Sequence, residues 1–110
     1  MGISKDLISA DQLNQLIGTA ECPVIVDVRR EKAFDESGRM IATAEWRDHG
    51  RAAEWAAELP DGAAVVVYCV HGREVSQGAA AALRSAGVDD QFLEGGIEGF
   101  IEAGGETVAK

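Results

Sequence analysis

Cys69 is the residue whose surroundings best suit covalent chemistry. An apolar run ends there, and the chain continues as Cys69-Val70-His71-Gly72-Arg73-Glu74-Val75-Ser76. A cysteine between a strand end and a helix N-terminus faces unpaired N–H groups and a partial positive charge, and both favour the nucleophilic thiolate. Gly72 allows a positive φ, which turns successive amides inward. We therefore predict that Cys69 is a catalytic nucleophile in an anion-binding loop.

The patterns around this loop predict alternating strands and helices. β-branched and apolar runs predict strands over residues 24–28, 44–46, 63–68 and 91–93. Helical spacing and composition predict helices over residues 10–17, 30–36, 51–59, 76–86 and 97–103. The first helix has a capping box formed by Ser9 and Gln12. We expect a three-layer α/β domain whose central, mostly parallel sheet has helices on both faces.

The bulk composition limits the classes of partner. The chain has 110 residues, 46% of them apolar, which suits one globular domain. We expect it over residues 7–104, after an extension of residues 1–6 and before a tail of residues 105–110. A net charge of -9 argues against nucleic acid and anionic lipid as partners. There is no recognisable signal peptide and no apolar run of membrane-spanning length, so a cytoplasmic location is expected.

The other polar residues and the second cysteine also have interpretations that involve no catalysis. Cys69 and His71 have no second ligand pair, so no metal is expected. Asp27 and Arg29 follow a buried strand, where charged groups need partners, so we expect them to pair structurally. Arg73 and His71 are candidates for substrate binding, but either could be solvated, and Arg73 could pair with Glu74. Cys22 has no partner motif, and we expect an incidental role for it.

Several segments also match a known order of motifs. They are Ile8-Ser9-Ala10-Asp11-Gln12-Leu13, Ile25-Val26-Asp27-Val28-Arg29, Gly38-Arg39-Met40-Ile41, Val67-Tyr68-Cys69-Val70-His71-Gly72 and Leu93-Glu94-Gly95-Gly96-Ile97-Glu98-Gly99-Phe100. In this order they resemble the opening helix, the D-V-R strand end, the G-H-I-P-G-A segment, the Y-C-x-x-G loop and the L-x-G-G segment of the single-domain rhodanese (thiosulfate sulfurtransferase) family. The resemblance covers roughly residues 7 to 104.

The resemblance implies a rhodanese-like fold and sulfur transfer without a cofactor. The Cys69 thiolate would take sulfur from a small anionic donor such as thiosulfate, become a persulfide, and pass the sulfur to cyanide, a thiol or a protein acceptor. Backbone amides from Val70 to Ser76 would hold the anionic sulfur, and Arg73 and His71 would orient the donor. The resemblance further implies that Asp27 fixes the loop and that Arg29 pairs internally.

The loop departs from the usual family pattern, C-x-x-G-x-R-S. Glu74 stands five residues after Cys69, with the arginine one position earlier and the serine one position later. Related phosphatases and arsenate reductases have an arginine six residues after the cysteine, where this chain has Val75. Sulfur transfer is therefore the favoured function. A non-catalytic or redox-regulatory module is the main alternative, and a phosphatase or arsenate reductase is the less favoured one.

Overall fold

The computed structural model describes residues 7–110, and its main sheet has five parallel strands. The strands of the chain are β1 (Leu7–Ile8), β2 (Val24–Asp27), β3 (Arg39–Ile41), β4 (Glu45–Trp46), β5 (Ala64–Tyr68), β6 (Asp89–Leu93) and β7 (Thr107–Ala109). The main sheet has the order β1-β6-β5-β2-β4, while β3 and β7 form a separate antiparallel pair. The parallel sheet and its flanking helices confirm the predicted fold class.

The helices follow the predicted order along the chain. They are α1 (Ala10–Leu16), α2 (Glu31–Glu36), α3 (Ala52–Trp55), α4 (Glu74–Ser85) and α5 (Gly96–Glu102). The capping box that starts α1 is confirmed, because Ser9 and Gln12 each accept a hydrogen bond from the other's backbone N–H. α4 ends at Ser85, and Gly87 follows with a φ of 83° that allows the paired backbone hydrogen bonds that close a helix.

Two helix predictions are wrong in detail. The segment 51–59 is one α-helical turn between the 3-10 turns His49–Arg51 and Ala56–Glu58, because i→i+3 hydrogen bonds tighten both ends of so short a helix. α4 begins at Glu74 and not at about residue 76, so Glu74 and the next residue lie in its first turn.

The short strands β1, β3 and β7 do not appear among the sequence predictions. β7 lies within the segment 105–110 and pairs with β3, and the Lys110 N–H donates to the Gly38 carbonyl. Backbone pairing with β3 and the residue before it therefore extends through residue 110. The predicted extension, residues 1–6, lies outside the described residues.

The core consists of two apolar layers, one on each face of the sheet. Successive residues of β5 point to opposite faces: Val65 and Val67 pack against α3 and α4, and Val66 and Tyr68 pack against α1 and α5. Because both faces of this strand are covered, its sequence is continuously apolar and does not alternate.

The order of the strands defines where a ligand is expected to bind. The chain leaves β2 toward β4 on one side and leaves β5 toward β6 on the other. In open parallel sheets, ligands bind in the crevice outside the carboxyl ends of two strands whose connections diverge in this way. Asp27 and Tyr68 are register partners at the carboxyl ends of β2 and β5. Cys69 directly follows this point.

Candidate active site

A cleft of about 410 Å³ opens at the carboxyl ends of β2 and β5. Two segments form its walls: the start of α2, and the loop from Cys69 into the first turn of α4. The lining residues are Arg29, Arg30, Ala33, Cys69, Val70, His71, Arg73, Glu74 and Val75. The cleft therefore contains the predicted nucleophile and most of the predicted substrate-binding residues.

Cys69 lines this cleft. The side chain is buried, with 6% of its surface exposed, and its Sγ donates a hydrogen bond to Ser76 Oγ at 3.2 Å. The hydroxyl of Ser76, which is fully buried in the first turn of α4, donates to the Arg73 carbonyl at 3.4 Å. Sequence reasoning assigned only the backbone amide of Ser76 to the site. The structure adds its hydroxyl as a direct neighbour of the sulfur.

The loop after Cys69 is attached through its carbonyl groups to the N-terminus of α5. The Ile97 N–H donates to the Cys69 carbonyl at 2.9 Å, and the Glu98 N–H donates to the Val70 carbonyl at 3.1 Å. In a trans peptide the N–H points opposite to the C=O of the same unit, and the described chain contains no cis peptide. The N–H groups of Val70 and His71 therefore point away from α5, no residue of which lines the cleft.

Two glycines allow the loop and the start of α5 to approach this closely. A Cβ on Gly72 would lie 2.7 Å from the Leu93 carbonyl oxygen, and one on Gly96 would clash with the Val70 carbonyl oxygen. Both residues also have positive φ, 73° and 61°. Larger side chains are excluded at both positions, because they would push the loop and α5 apart.

The loop presents a row of backbone donors without protein partners. Between Val70 and Ser76, no N–H group donates to an acceptor within residues 7–110. The first intrahelical bond of α4 runs from the Gln77 N–H to the Arg73 carbonyl at 3.0 Å, and the Arg73 side chain does not cap the helix. These donors and the helix dipole give the loop the electrostatics of an anion-binding site.

The end of β2 holds a fully partnered polar cluster. Arg29 Nη2 and Nε donate to the Asp27 carboxylate at 2.6 and 3.0 Å, and both side chains are buried. The Tyr68 hydroxyl donates to Asp27 Oδ2 at 2.8 Å and accepts from the Ile41 N–H at 3.1 Å. Burial raises the pKa of Tyr68 above its ordinary value, and the neighbouring Asp27 carboxylate raises it further. The tyrosine is therefore a neutral donor in this cluster.

The other predicted residues divide between the surface of the cleft and its support. His71, Arg73 and Glu74 are exposed at the cleft, and no ion pair joins Arg73 to Glu74. Gly72 is buried behind the loop. Cys22 is half-buried near the amino end of β2, where its Sγ donates to the Pro23 carbonyl, and it does not line the cleft.

Sequence reasoning missed the α2 wall, which contributes Arg30 and Ala33. Arg30 directly follows Arg29 at the carboxyl end of β2, the neighbour of β5 in the sheet. The rule that ligands bind beyond the carboxyl ends of adjacent parallel strands is the signal that identifies it.

Comparisons with known proteins agree with this architecture. The sequence matches the family model of the rhodanese-like domain over residues 9–103. A rhodanese-related protein from Thermoplasma volcanium is 26% identical, with a TM-score of 0.79 over 94% of this chain and 97% of that chain. No curated protein matches the sequence significantly.

Two further solved structures share the fold at lower identity. A rhodanese-like domain protein from Staphylococcus aureus is 21% identical, with a TM-score of 0.75 over 86% of this chain and 90% of that chain. A Rhodopseudomonas palustris protein of unknown function, described as a possible tyrosine phosphatase, is 23% identical, with a TM-score of 0.77 over 91% of this chain and 82% of that chain. Within residues 7–110, no helix has both the length and the apolar character needed to cross a membrane.

Proposed function

This chain belongs to the family of rhodanese-like domains, and from that premise we propose that it is a sulfurtransferase that carries sulfur as a persulfide on Cys69. One observation carries the proposal. Cys69 lines a cleft, and the backbone N–H groups of the loop that follows it, from Val70 to Ser76, have no protein acceptor in the described chain. Such donors suit a negatively charged sulfur, because they stabilise charge without a side-chain base or a metal.

The first half-reaction transfers sulfur from the donor to the enzyme. The Cys69 thiolate attacks the sulfane sulfur of thiosulfate, a new S–S bond forms, and the S–S bond of the donor breaks. Sulfite leaves with the electron pair of the broken bond, so the total charge is unchanged. We expect the N–H groups from Val70 to Ser76, which have no protein acceptor in the described chain, to hold the persulfide anion that results.

The second half-reaction returns Cys69 to its starting state. A nucleophilic acceptor, such as cyanide or a thiol, attacks the outer sulfur of the persulfide and breaks its bond to Cys69 Sγ. The leaving group is the Cys69 thiolate, and the Ser76 hydroxyl, 3.2 Å from Sγ, would donate a hydrogen bond to it by turning its proton away from the Arg73 carbonyl. The same chemistry serves a small thiol and a cysteine of an acceptor protein.

The two alternative functions make different demands on the loop. A phosphatase or arsenate reductase needs a bidentate cation on its oxyanion, and Val75 stands where related enzymes have that arginine. A purely regulatory module does not need successive free amides beside a cysteine. The loop therefore supports sulfur transfer better than either alternative.

A pair of assays separates these functions. We expect thiocyanate to form from thiosulfate and cyanide in a reaction that saturates with both substrates, and we expect no hydrolysis of an aryl phosphate beyond the uncatalysed rate. Aryl phosphate hydrolysis without thiocyanate formation would establish the phosphatase alternative. Absence of both activities would favour the regulatory module and contradict the proposed function.

A further inference from the structure

We infer that Arg30, on the α2 wall of the cleft, binds the oxyanion end of the sulfur donor across from Arg73. The two guanidinium groups would hold the sulfonate group of a dianionic donor while its sulfane sulfur faces Cys69. This inference rests on the proposed sulfur transfer and adds to it the charge class of the donor and a residue outside the cysteine loop that selects it.

Arg30 and Arg73 differ from the other arginines of the described chain in having no acceptor for their guanidinium groups. Arg29, Arg47, Arg51 and Arg84 each form an ion pair with a carboxylate, and Arg39 donates to Thr107. Both unpaired arginines line the same cleft. In a chain with a net charge of -9, two unpaired cations that converge on one cleft make it locally attractive to anions.

The backbone around Arg30 is held firmly. Arg29, directly before it, is fixed by its buried ion pair with Asp27, and its carbonyl accepts a hydrogen bond from Trp46 Nε1 at 2.9 Å. The Arg30 carbonyl accepts from the Phe34 N–H at 3.0 Å. The Arg30 side chain is exposed and lines the cleft, and the backbone that carries it is held in place.

Helix stability does not explain an arginine at position 30. Arg30 and Arg73 occupy the N-cap positions of α2 and α4, and neither side chain makes a capping hydrogen bond. N-cap positions favour short side chains that accept hydrogen bonds, and a cation at the N-terminus opposes the helix dipole. Two arginines at N-cap positions beside one cleft indicate that the cleft binds an anion. Residues that are unfavourable for local stability occur most often at functional sites.

The other charged groups at the cleft do not cancel the positive charge of Arg30 and Arg73. Arg29 is neutralised by Asp27, and His71 is exposed at the rim. Glu74 is the one carboxylate among the lining residues, and it forms no ion pair within the described chain. Two free guanidinium groups therefore face one carboxylate, which favours a donor with two negative charges over a donor with one.

The test compares Arg30→Gln with Lys32→Gln, which removes the same charge from the same helix at a position that does not line the cleft. We expect Arg30→Gln to raise KM for thiosulfate roughly three- to tenfold, the range of one partly exposed charged hydrogen bond, with little change in kcat. The effect should be smaller for the monoanion methanethiosulfonate. In Arg30→Lys, KM for thiosulfate should lie between the values of the wild type and of Arg30→Gln. In Arg30→Gln, kcat/KM for cyanide should be unchanged.

The outcomes separate this inference from the proposed function. If the wild-type protein transfers sulfur and Arg30→Gln behaves like Lys32→Gln, the role of Arg30 is wrong and sulfur transfer stands. An equal rise in KM for thiosulfate and for methanethiosulfonate in Arg30→Gln would show that Arg30 does not select the donor by its charge. If the wild-type protein transfers no sulfur, both proposals fail. Thermal unfolding of each variant shows whether a loss of activity reflects a loss of fold.

Discussion

Two adjacent strands of the sheet end in opposite ways. At the end of β2, Asp27 and Arg29 are buried in an ion pair, and Tyr68 completes a cluster in which every fully buried side-chain nitrogen and oxygen has a partner. At the end of β5, the backbone donors from Val70 to Ser76 have no protein acceptor in the described chain. The two ends are register neighbours, yet the buried polar atoms of one have protein partners and the backbone donors of the other do not.

This contrast suggests a division of labour. A buried, fully partnered cluster holds its surroundings in one arrangement, since breaking any of its contacts leaves a charge without compensation. Donors that face an open cleft can exchange their bound water for an anion. We therefore interpret the β2 end as the frame and the β5 end as the reactive part of one site. The frame should control stability, and the loop should control activity.

Removing the nucleophile should have the largest effect on the reactive side. Cys69→Ser should lower thiocyanate formation more than ~10³-fold, because a hydroxyl cannot carry a sulfane sulfur. The urea midpoint should change little, since the replacement is nearly isosteric. Cys22→Ser is the matched control and should retain full activity. Comparable turnover by Cys69→Ser would contradict the proposed mechanism.

Breaking the ion pair should have the largest effect on the frame. Arg29→Met leaves the Asp27 carboxylate buried and uncompensated, so we expect the free energy of unfolding to fall by about 3–5 kcal/mol. Arg73→Met, on the open side, should change it by less than about 0.5 kcal/mol. Urea denaturation measures both. Similar losses in the two variants would remove the distinction between frame and reactive loop.

Removing the tyrosine hydroxyl should have a smaller effect, with a characteristic pH dependence. Tyr68→Phe should cost about 1–3 kcal/mol, because Asp27 and the Ile41 N–H lose a partner. The pKa of Tyr68 is raised in the folded state, whereas an unfolded tyrosine ionises near about pH 10. The unfolded state therefore loses its proton first, and stability should fall as the pH rises above about 10.

Denaturation at pH values from neutral to about 11 tests this dependence, with Tyr68→Phe as the variant that lacks the titrating group. The stability difference between wild type and variant should shrink with rising pH, since only the wild type carries the tyrosine that ionises on unfolding. A constant difference across this range would show that Tyr68 does not titrate differently in the folded and unfolded states.

The smallest effect is expected from the carboxylate at the rim. Glu74→Gln removes a negative charge that faces the donor, so KM for thiosulfate should fall by a factor of about two to three. Glu102→Gln removes the same charge from an exposed position of α5 that does not line the cleft, and it should have no such effect. An unchanged KM in Glu74→Gln would mean that this carboxylate points away from the bound donor.

The parts of the molecule that could be predicted from sequence are those with a strong local pattern. β2 and β5 each contain three consecutive β-branched residues, and α1 has a capping box, so the positions of these elements follow from neighbouring residues. The edge strand β1 and the pair formed by β3 and β7 are only two or three residues long. Strands this short carry no readable periodicity and depend on pairing with distant segments.

The start of α4 and the α2 wall were missed for a related reason. Arg73 occupies the N-cap of α4 but makes no capping hydrogen bond, so no sequence signal marks the true start of that helix. The prediction began the helix at about Ser76, because serine is a usual N-cap residue. Ser76 instead lies inside the first turn with its hydroxyl against Cys69. Arg30 belongs to the cleft only because β2 and β5 are adjacent, which is a property of the topology and not of local sequence.

The central claim is that Cys69 carries the transferred sulfur, and intact-mass spectrometry tests it most directly. Reduced protein is incubated with thiosulfate, separated from it without reductant, and measured before and after addition of cyanide. We predict a gain of one sulfur atom on the peptide that contains Cys69, lost again with cyanide and absent in Cys69→Ser. An unchanged mass, or the same gain in Cys69→Ser, would contradict the account.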